Sequence, residues 1–116
     1  MQVPGGTYMI VTMQNAATAT GDGEAVDTID VSNGAWTWWT AQVNGITTAT
    51  ITWEMTVDGT NWEAFGMTDL ADNSTVATTA TADGVFRGVV AGIPSVRARI
   101  SAYTDGTITV TGVFTS

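Results

Sequence analysis

The sequence predicts an all-β fold built as a single antiparallel β-sandwich, and three observations carry that prediction. First, Asx-Gly pairs punctuate the chain at Asp22-Gly23, Asn33-Gly34, Asn44-Gly45, Asp58-Gly59, Asp83-Gly84 and Asp105-Gly106. Such pairs supply the positive φ angles that tight hairpins need. Second, of the 116 residues only 12% are charged while 44% are hydrophobic. The missing charges are replaced by Thr, Val, Ala and Gly, which favours strands and turns over disorder. Third, apolar residues alternate with polar ones, and no long segment has a helical period. The spacing of the turn signals, roughly 10 residues with one longer interval, fits a jelly-roll or Ig-like sandwich of about eight strands. At this length one modest core is expected.

Taken in order, residues 1–20 read as an N-terminal arm and strand, and residues 21–116 as the sandwich domain. "MQVPGG" is an extended lead, and Tyr8–Met13 is an apolar strand that either edges its own sheet or reaches a neighbour. Further strands are expected at Ala25–Val31, Ala35–Val43, Thr48–Val57, Trp62–Met67, Val85–Val90, Val96–Tyr103 and Thr107–Phe114, with a short piece near Thr75–Thr78. In "TATITWEMTV", Ala49, Ile51, Trp53, Met55 and Val57 share one face, and the threonines and Glu54 share the other. "SVRARISAY" turns Val96, Ala98, Ile100 and Ala102 inward, and Arg97, Arg99, Ser101 and Tyr103 outward. "TITVTGVF" turns Ile108 and Val110 inward, with Gly112 marking a bulge.

"WTWW" at 36–39 holds three of the five tryptophans. If Ala41 and Val43 face the core, so does Trp39, and Trp36 and Trp38 share the opposite face. Two neighbouring exposed indoles make an adhesive patch on a Thr-coated surface. Either the first 20 residues or a bulge covers them, or they form a subunit or partner contact.

Composition limits the chemistry. The net charge is −8, and the three basic residues are all arginines, so the chain holds no lysine; it also lacks histidine and cysteine. Triads, thiolate sites, His-ligated zinc, Schiff bases and P-loops are therefore excluded. Nucleic acid and anionic membranes would be repelled, so neither is an expected partner. No stretch is long and apolar enough to span a membrane as a helix, and the start lacks the pattern of a signal peptide. Arg87, Arg97 and Arg99 cluster within thirteen residues. Arg87 is expected across from the other two if the flanking strands pair around Gly92-Ile93-Pro94. The stripe then holds an acidic neighbour, or pairs across strands with Glu54, Glu63 or an Asp. The acidic loops "GDGEAVD" and "DLADNS" match no calcium template and read as Asx turns. Trp62, after the Asp58-Gly59 turn, packs with Phe65 over the sandwich end or stacks on a sugar. No catalytic residue, cofactor or metal is expected.

Residues 20–116 resemble a small β-domain that recurs in structural proteins of tailed bacteriophages. The matching features are Trp53-Glu54, Asp58-Gly59, Trp62, Gly84, Phe86-Arg87, Gly92, Val96-Arg97, Arg99, Ser101-Ala102-Tyr103 and Gly106. The tryptophans at 36, 38 and 39 depart from that pattern. The resemblance implies a non-enzymatic virion protein, foremost a capsid decoration (cement) protein. Such a protein would be made in the host cytoplasm and sit on the outer capsid surface, bound to the major capsid protein as a trimer. The alternative it implies is a carbohydrate- or receptor-binding module of a tail or baseplate. Expected contact residues are Tyr8, Ile10, Trp36, Trp38, Arg87, Arg97 and Arg99, with Trp62 for ligand stacking.

Overall fold

The computed structural model describes residues 8–30 and 34–116, so the lead 1–7 and the expected turn at Asn33 lie outside the described residues. The described chain is all-β. Its strands are β1 (Met9–Ala17), β2 (Val26–Asp27), β3 (Ile29–Asp30), β4 (Gly34–Ala35), β5 (Trp38–Thr56), β6 (Glu63–Ala64), β7 (Met67–Asp69), β8 (Val76–Ala77), β9 (Thr79–Ala80), β10 (Gly84–Val89) and β11 (Ser95–Thr115). All pairings are antiparallel. The main sheet runs β1-β11-β5-β10-β7-β8, with β2 also on β11 and β6 and β9 also on β5; β3 and β4 form a separate ribbon.

Two strands of 19 and 21 residues dominate, and they correct the sequence reading. Asn44-Gly45 and Asp105-Gly106 were expected to be hairpin turns. Both instead lie inside β5 and β11, which pair from Ser95↔Thr56 to Thr115↔Trp38, with register shifts around the two glycines. Gly45 has φ +93° and Gly106 φ +126°. A Cβ on Gly45 would lie 1.8 Å from the Thr107 carbonyl oxygen, and one on Gly106 2.4 Å from the Gly45 oxygen. Positive φ and close backbone approach are what a bulge requires as much as a turn does. Here they bend a strand pair without reversing it. The Asp83 carboxylate holds the bend by accepting the N–H groups of Gly45 and Ile46 at 3.1 and 2.9 Å.

The bend divides the sheet into two layers. The first contains residues 38–43 of β5 and 108–115 of β11, with β1, β10, β7 and β8. The second contains residues 48–56 of β5 and 95–103 of β11, with β2, β6 and β9. Their inner faces meet in one aromatic core. Trp39 stacks between Phe65 and Phe114, both at 6.0 Å, and meets Trp53 edge-on at 5.5 Å; Trp53 contacts Phe86 at 5.4 Å. Neither indole N–H of this pair has an acceptor among the described residues. Burying an indole contributes up to about 4–5 kcal/mol by area, which exceeds the about 1–3 kcal/mol that an unpaired donor costs.

Alternation sets most of this core, and its failures are local. Trp39, Ala41, Val43, Ala49, Ile51 and Trp53 are buried as expected, as are Val96, Ala98, Ile100, Ile108 and Val110. Ala102 is exposed and Tyr103 packs on the core instead, because a register shift between Ile100 and Ala102 inserts a residue and exchanges their faces. Met55 is half-buried and still packs against the core, whereas Val57, past the end of β5, is exposed. Gly112 is no bulge: it pairs regularly with Ala41 and Val11. A Cβ there would meet the Met13 sulfur at 2.7 Å, so this glycine makes room for the core. β1 is an edge strand of its own sheet, pairing with β11 from Met9↔Phe114 to Ala17↔Ile108. Buried Gln14 ties it to the second layer by donating to the Gly21 and Ala98 carbonyls at 3.0 and 2.9 Å.

Candidate functional site, the outward face of the first layer

The outward positions of the first layer follow from its register. Ile10, Val113, Thr40 and Arg87 form one row, continued by Thr68 and Val76. Thr115, Trp38 and Val89 form the next. Ile10 is 57% exposed, Val89 50% and Trp38 38%, and Tyr8 and Val76 are exposed as well. Of the seven exposed large hydrophobics among the described residues, Ile10, Trp38, Val76 and Val89 lie at outward positions of this one layer and Tyr8 directly precedes β1; the others are Ile29 and Val57. The Arg87 guanidinium sits over the Trp38 ring, 5.1 Å from its centroid, a desolvating contact that leaves its hydrogen-bonding edge in water. A shallow hollow of about 420 Å³ opens beside the pair, lined by Phe65, Gly66, Thr68, Asn73 and Val89.

The structure separates the residues that sequence reasoning grouped. Tyr8, Ile10, Trp38 and Arg87 come together on this face. Trp36 does not: it is only 8% exposed and belongs to the core. The alternation was extended past the start of β5 at Trp38. Residues 36 and 37 precede β5, and the Trp36 N–H donates to the Thr28 carbonyl at 2.9 Å, turning its indole inward.

Arg97 and Arg99 lie on the outward face of the second layer, apart from Arg87. β10 pairs with β5 and β7, and the segment around Gly92 crosses between layers instead of closing a hairpin. Arg97 and Arg99 both bind the buried Glu54, Nε to carboxylate, at 2.8 and 3.2 Å. Arg97 also reaches Asp22 at 3.4 Å and covers the Trp62 ring at 4.1 Å. This is the cross-strand pairing with Glu54 that the sequence offered as one alternative. Trp62 packs on Arg97, and Phe65 alone enters the core.

Asx turns form at Asp58 and at Asp72 of "DLADNS", whereas Asp22 of "GDGEAVD" pairs with Arg97. Asp58 accepts hydrogen bonds from the Asn61 and Thr60 backbones, the Asn61 amide and the Thr56 hydroxyl. These donors, the Asn61 backbone first, hold its carboxyl well below the usual range. Asp72 is held down to about 2 by the Thr75 hydroxyl and by the backbone N–H groups of Thr75 and Ser74.

Sequence reasoning missed Val76, Val89 and Val113 as members of the face. The signal was present in "GVFRGVV", where Val85, Arg87 and Val89 share the outward phase and place two β-branched apolar residues in water.

The chain matches no protein-family model and no curated protein at significant similarity. Two solved structures share its fold. It is similar to the SPBc2 prophage-derived protein YomS, with a TM-score of 0.81 and 20% identity over 95% of this chain and 94% of that one. It is similar also to the PBSX exported protein XepA, with a TM-score of 0.83 and 15% identity over 98% of this chain. The match spans 39% of XepA, so the whole domain corresponds to a part of that protein. The chain thus shares its fold with these two proteins, the first of which is prophage-derived.

Proposed function

We propose that this protein is a bacteriophage virion structural protein without catalytic activity, acting as a capsid decoration protein on the outer shell. The observation that carries this reading is the outward face of the first layer, where Tyr8, Ile10, Trp38, Val76 and Val89 stand in water around Arg87. Trp, Tyr and Arg are the residues that dominate binding energy when a protein partner covers them. The fold shared with the prophage-derived protein YomS supports a phage setting. The residue inventory, with no His, Cys or Lys, supports a passive role. A decoration protein acts by binding only the assembled shell, which stabilises that state by mass action. The test is to image virions of the parent phage with and without the gene. The expected result is loss of regularly placed surface density from the head and earlier release of DNA on heating. Unchanged heads, or density lost from the tail, would overturn the reading.

A carbohydrate-binding tail module is the second reading, and the hollow beside Trp38 favours it. Saturable quenching of indole fluorescence on a glycan array hit, removed by Trp38→Ala, would establish it. Trp62 is a weaker candidate, since Arg97 already occupies one face of its ring.

A further inference from the structure

Arg87 differs from the other two arginines in one respect. Among the described residues it has no carboxylate partner, whereas Arg97 and Arg99 share Glu54. The outward strand positions around it are Tyr8, Ile10, Thr12, Trp38, Thr40, Gln42, Thr68, Val76, Val85, Val89 and the outward residues of β11, and none is acidic. A protein of net charge −8 therefore keeps the outward strand positions of this layer free of carboxylates, with Asp72 only in the turn at their rim, and places there the one arginine without a carboxylate partner among the described residues.

The complement of that face lies on the same molecule. Glu24, Asp27 and Glu63 are exposed and make no side-chain hydrogen bond or ion pair among the described residues. Asp27 is on β2 opposite Ser95 and Glu63 on β6 opposite Met55, so these two acids lie at opposite edges of the second layer, while the Glu24 N–H donates to the Met13 carbonyl of β1. The other acids of the two Asx turns and the bend are already engaged: Asp58, Asp72 and Asp83 each accept two or more hydrogen bonds.

We infer that the outward face of the first layer docks a second copy of this chain head-to-tail, with Arg87 receiving a carboxylate from the neighbour's second layer. This rests on the reading of that face as a protein-docking surface and names its occupant. Charge decides the orientation. A two-fold contact would set the face against itself, bringing two Arg87 groups together with no acid between them. A heterologous contact pairs the cation with the unengaged acids and buries Trp38, Val89 and Ile10 at the same time. A head-to-tail contact closes into a ring when its rotation allows, and a trimer is the smallest such ring.

The test uses the full chain in solution, with no partner to identify. Sedimentation velocity across protein concentrations is expected to show a closed oligomer of three or more copies. Arg87→Glu is expected to raise the dissociation constant by about 100-fold, since it places like charges in the seam. Arg87→Gln is expected to raise it by about tenfold, and both variants should keep the wild-type circular dichroism. A second variant carries Glu24→Arg, Asp27→Arg and Glu63→Arg together, which spoils the other side. Each variant alone is expected to be monomeric. Mixed, they should associate again, because each keeps the side that the other has lost and the two reversed sides carry opposite charges. Monomeric wild-type protein at about 100 µM, where even weak specific contacts populate, would overturn the inference. So would oligomers indifferent to Arg87→Glu, or variants that fail to pair when mixed. A monomer that still sediments with capsids would leave the decoration reading standing while removing this one. An oligomer that ignores capsids would do the reverse.

Discussion

The two outward faces of the sandwich are made from the same residue types, and only one is complete. On the second layer, Arg97 stands across the ladder from Glu54, and Arg99 one row on donates to the same carboxylate. Trp62 covers Arg97, and Thr52 and Ser101 share a hydrogen bond at 2.7 Å. On the first layer, Arg87 also carries a Trp, but it stands across from Thr40 on one side and Thr68 on the other. A single cross-strand partner separates the two: Glu54 in one case and Thr40 in the other. The lesson is that an Arg-Trp pair does not by itself announce a binding surface. What sets the first-layer pair apart is that no carboxylate stands in register with Arg87.

The comparison presumes that both faces belong to one sheet folded at Gly45. Gly45→Ala attacks that premise and has the largest expected effect. Its Cβ would overlap the Thr107 carbonyl, at a φ that L residues rarely adopt. A loss of at least about 3 kcal/mol is expected in chemical denaturation, with both faces lost together. A soluble, fully folded variant would show that the bend is not what joins the layers.

Glu54→Gln comes next and breaks the finished face alone. It leaves Arg99 without a counter-charge and the largely buried Arg97 with only the exposed Asp22 at 3.4 Å. The expected cost is about 2–3 kcal/mol, at or below the low end for a buried pair because Arg99 reaches water. Arg87→Gln, its counterpart on the other layer, should change stability by no more than about 0.5 kcal/mol. Equal costs would erase the distinction drawn between the faces.

Thr40→Glu runs the comparison forwards by installing the missing partner opposite Arg87. An exposed cross-strand pair contributes little, so stability should move by about 0.5 kcal/mol or less. Self-association should nevertheless fall sharply, because the cation is satisfied within its own chain and a carboxylate enters the seam. Sedimentation at fixed concentration checks it. Unchanged assembly would mean that Arg87 does not select the partner.

Much of this was legible in the sequence, and the exceptions share a cause. Alternation placed Trp39 inside and Trp38 outside, because period two is a local property of any strand. It misplaced Trp36, Ala102 and Tyr103, because a strand's start and a one-residue bulge are set by long-range pairing. Asx-Gly reported positive φ correctly at Gly45 and Gly106, but it does not say whether the chain reverses or bends there. Both outcomes need the same backbone. Glu54 appeared in advance as one of several partners for the arginines, and only the register could choose among them. The unfinished face was the least legible feature. It is defined by residues from β1, β5, β7, β8, β10 and β11 that share no stretch of sequence.

The smallest expected effect is in acid, where the Asx turns of Asp58 and Asp72 titrate. Asp58 closes the turn after β5 beside the finished face, while Asp72 and Asn73 turn the chain at the rim of the hollow on the open one. Both carboxyls are held below their ordinary 3.8, Asp72 at about 2. A depressed carboxyl stabilises the fold above its unfolded value, and that contribution fades as pH falls from about 3.8 through the folded value. Asp58 has four donors and Asp72 three, so protonation should release the Asp72 turn first. Carboxyl chemical shifts followed by NMR from pH 5 downward check the order. Asn73 sits at φ +59°, a conformation that the Asp72 turn supports, so its loosening should alter the hollow before the ion-paired face changes. Release of Asp58 first, or of both together, would mean that the rim of the open face is as firmly built as the finished one.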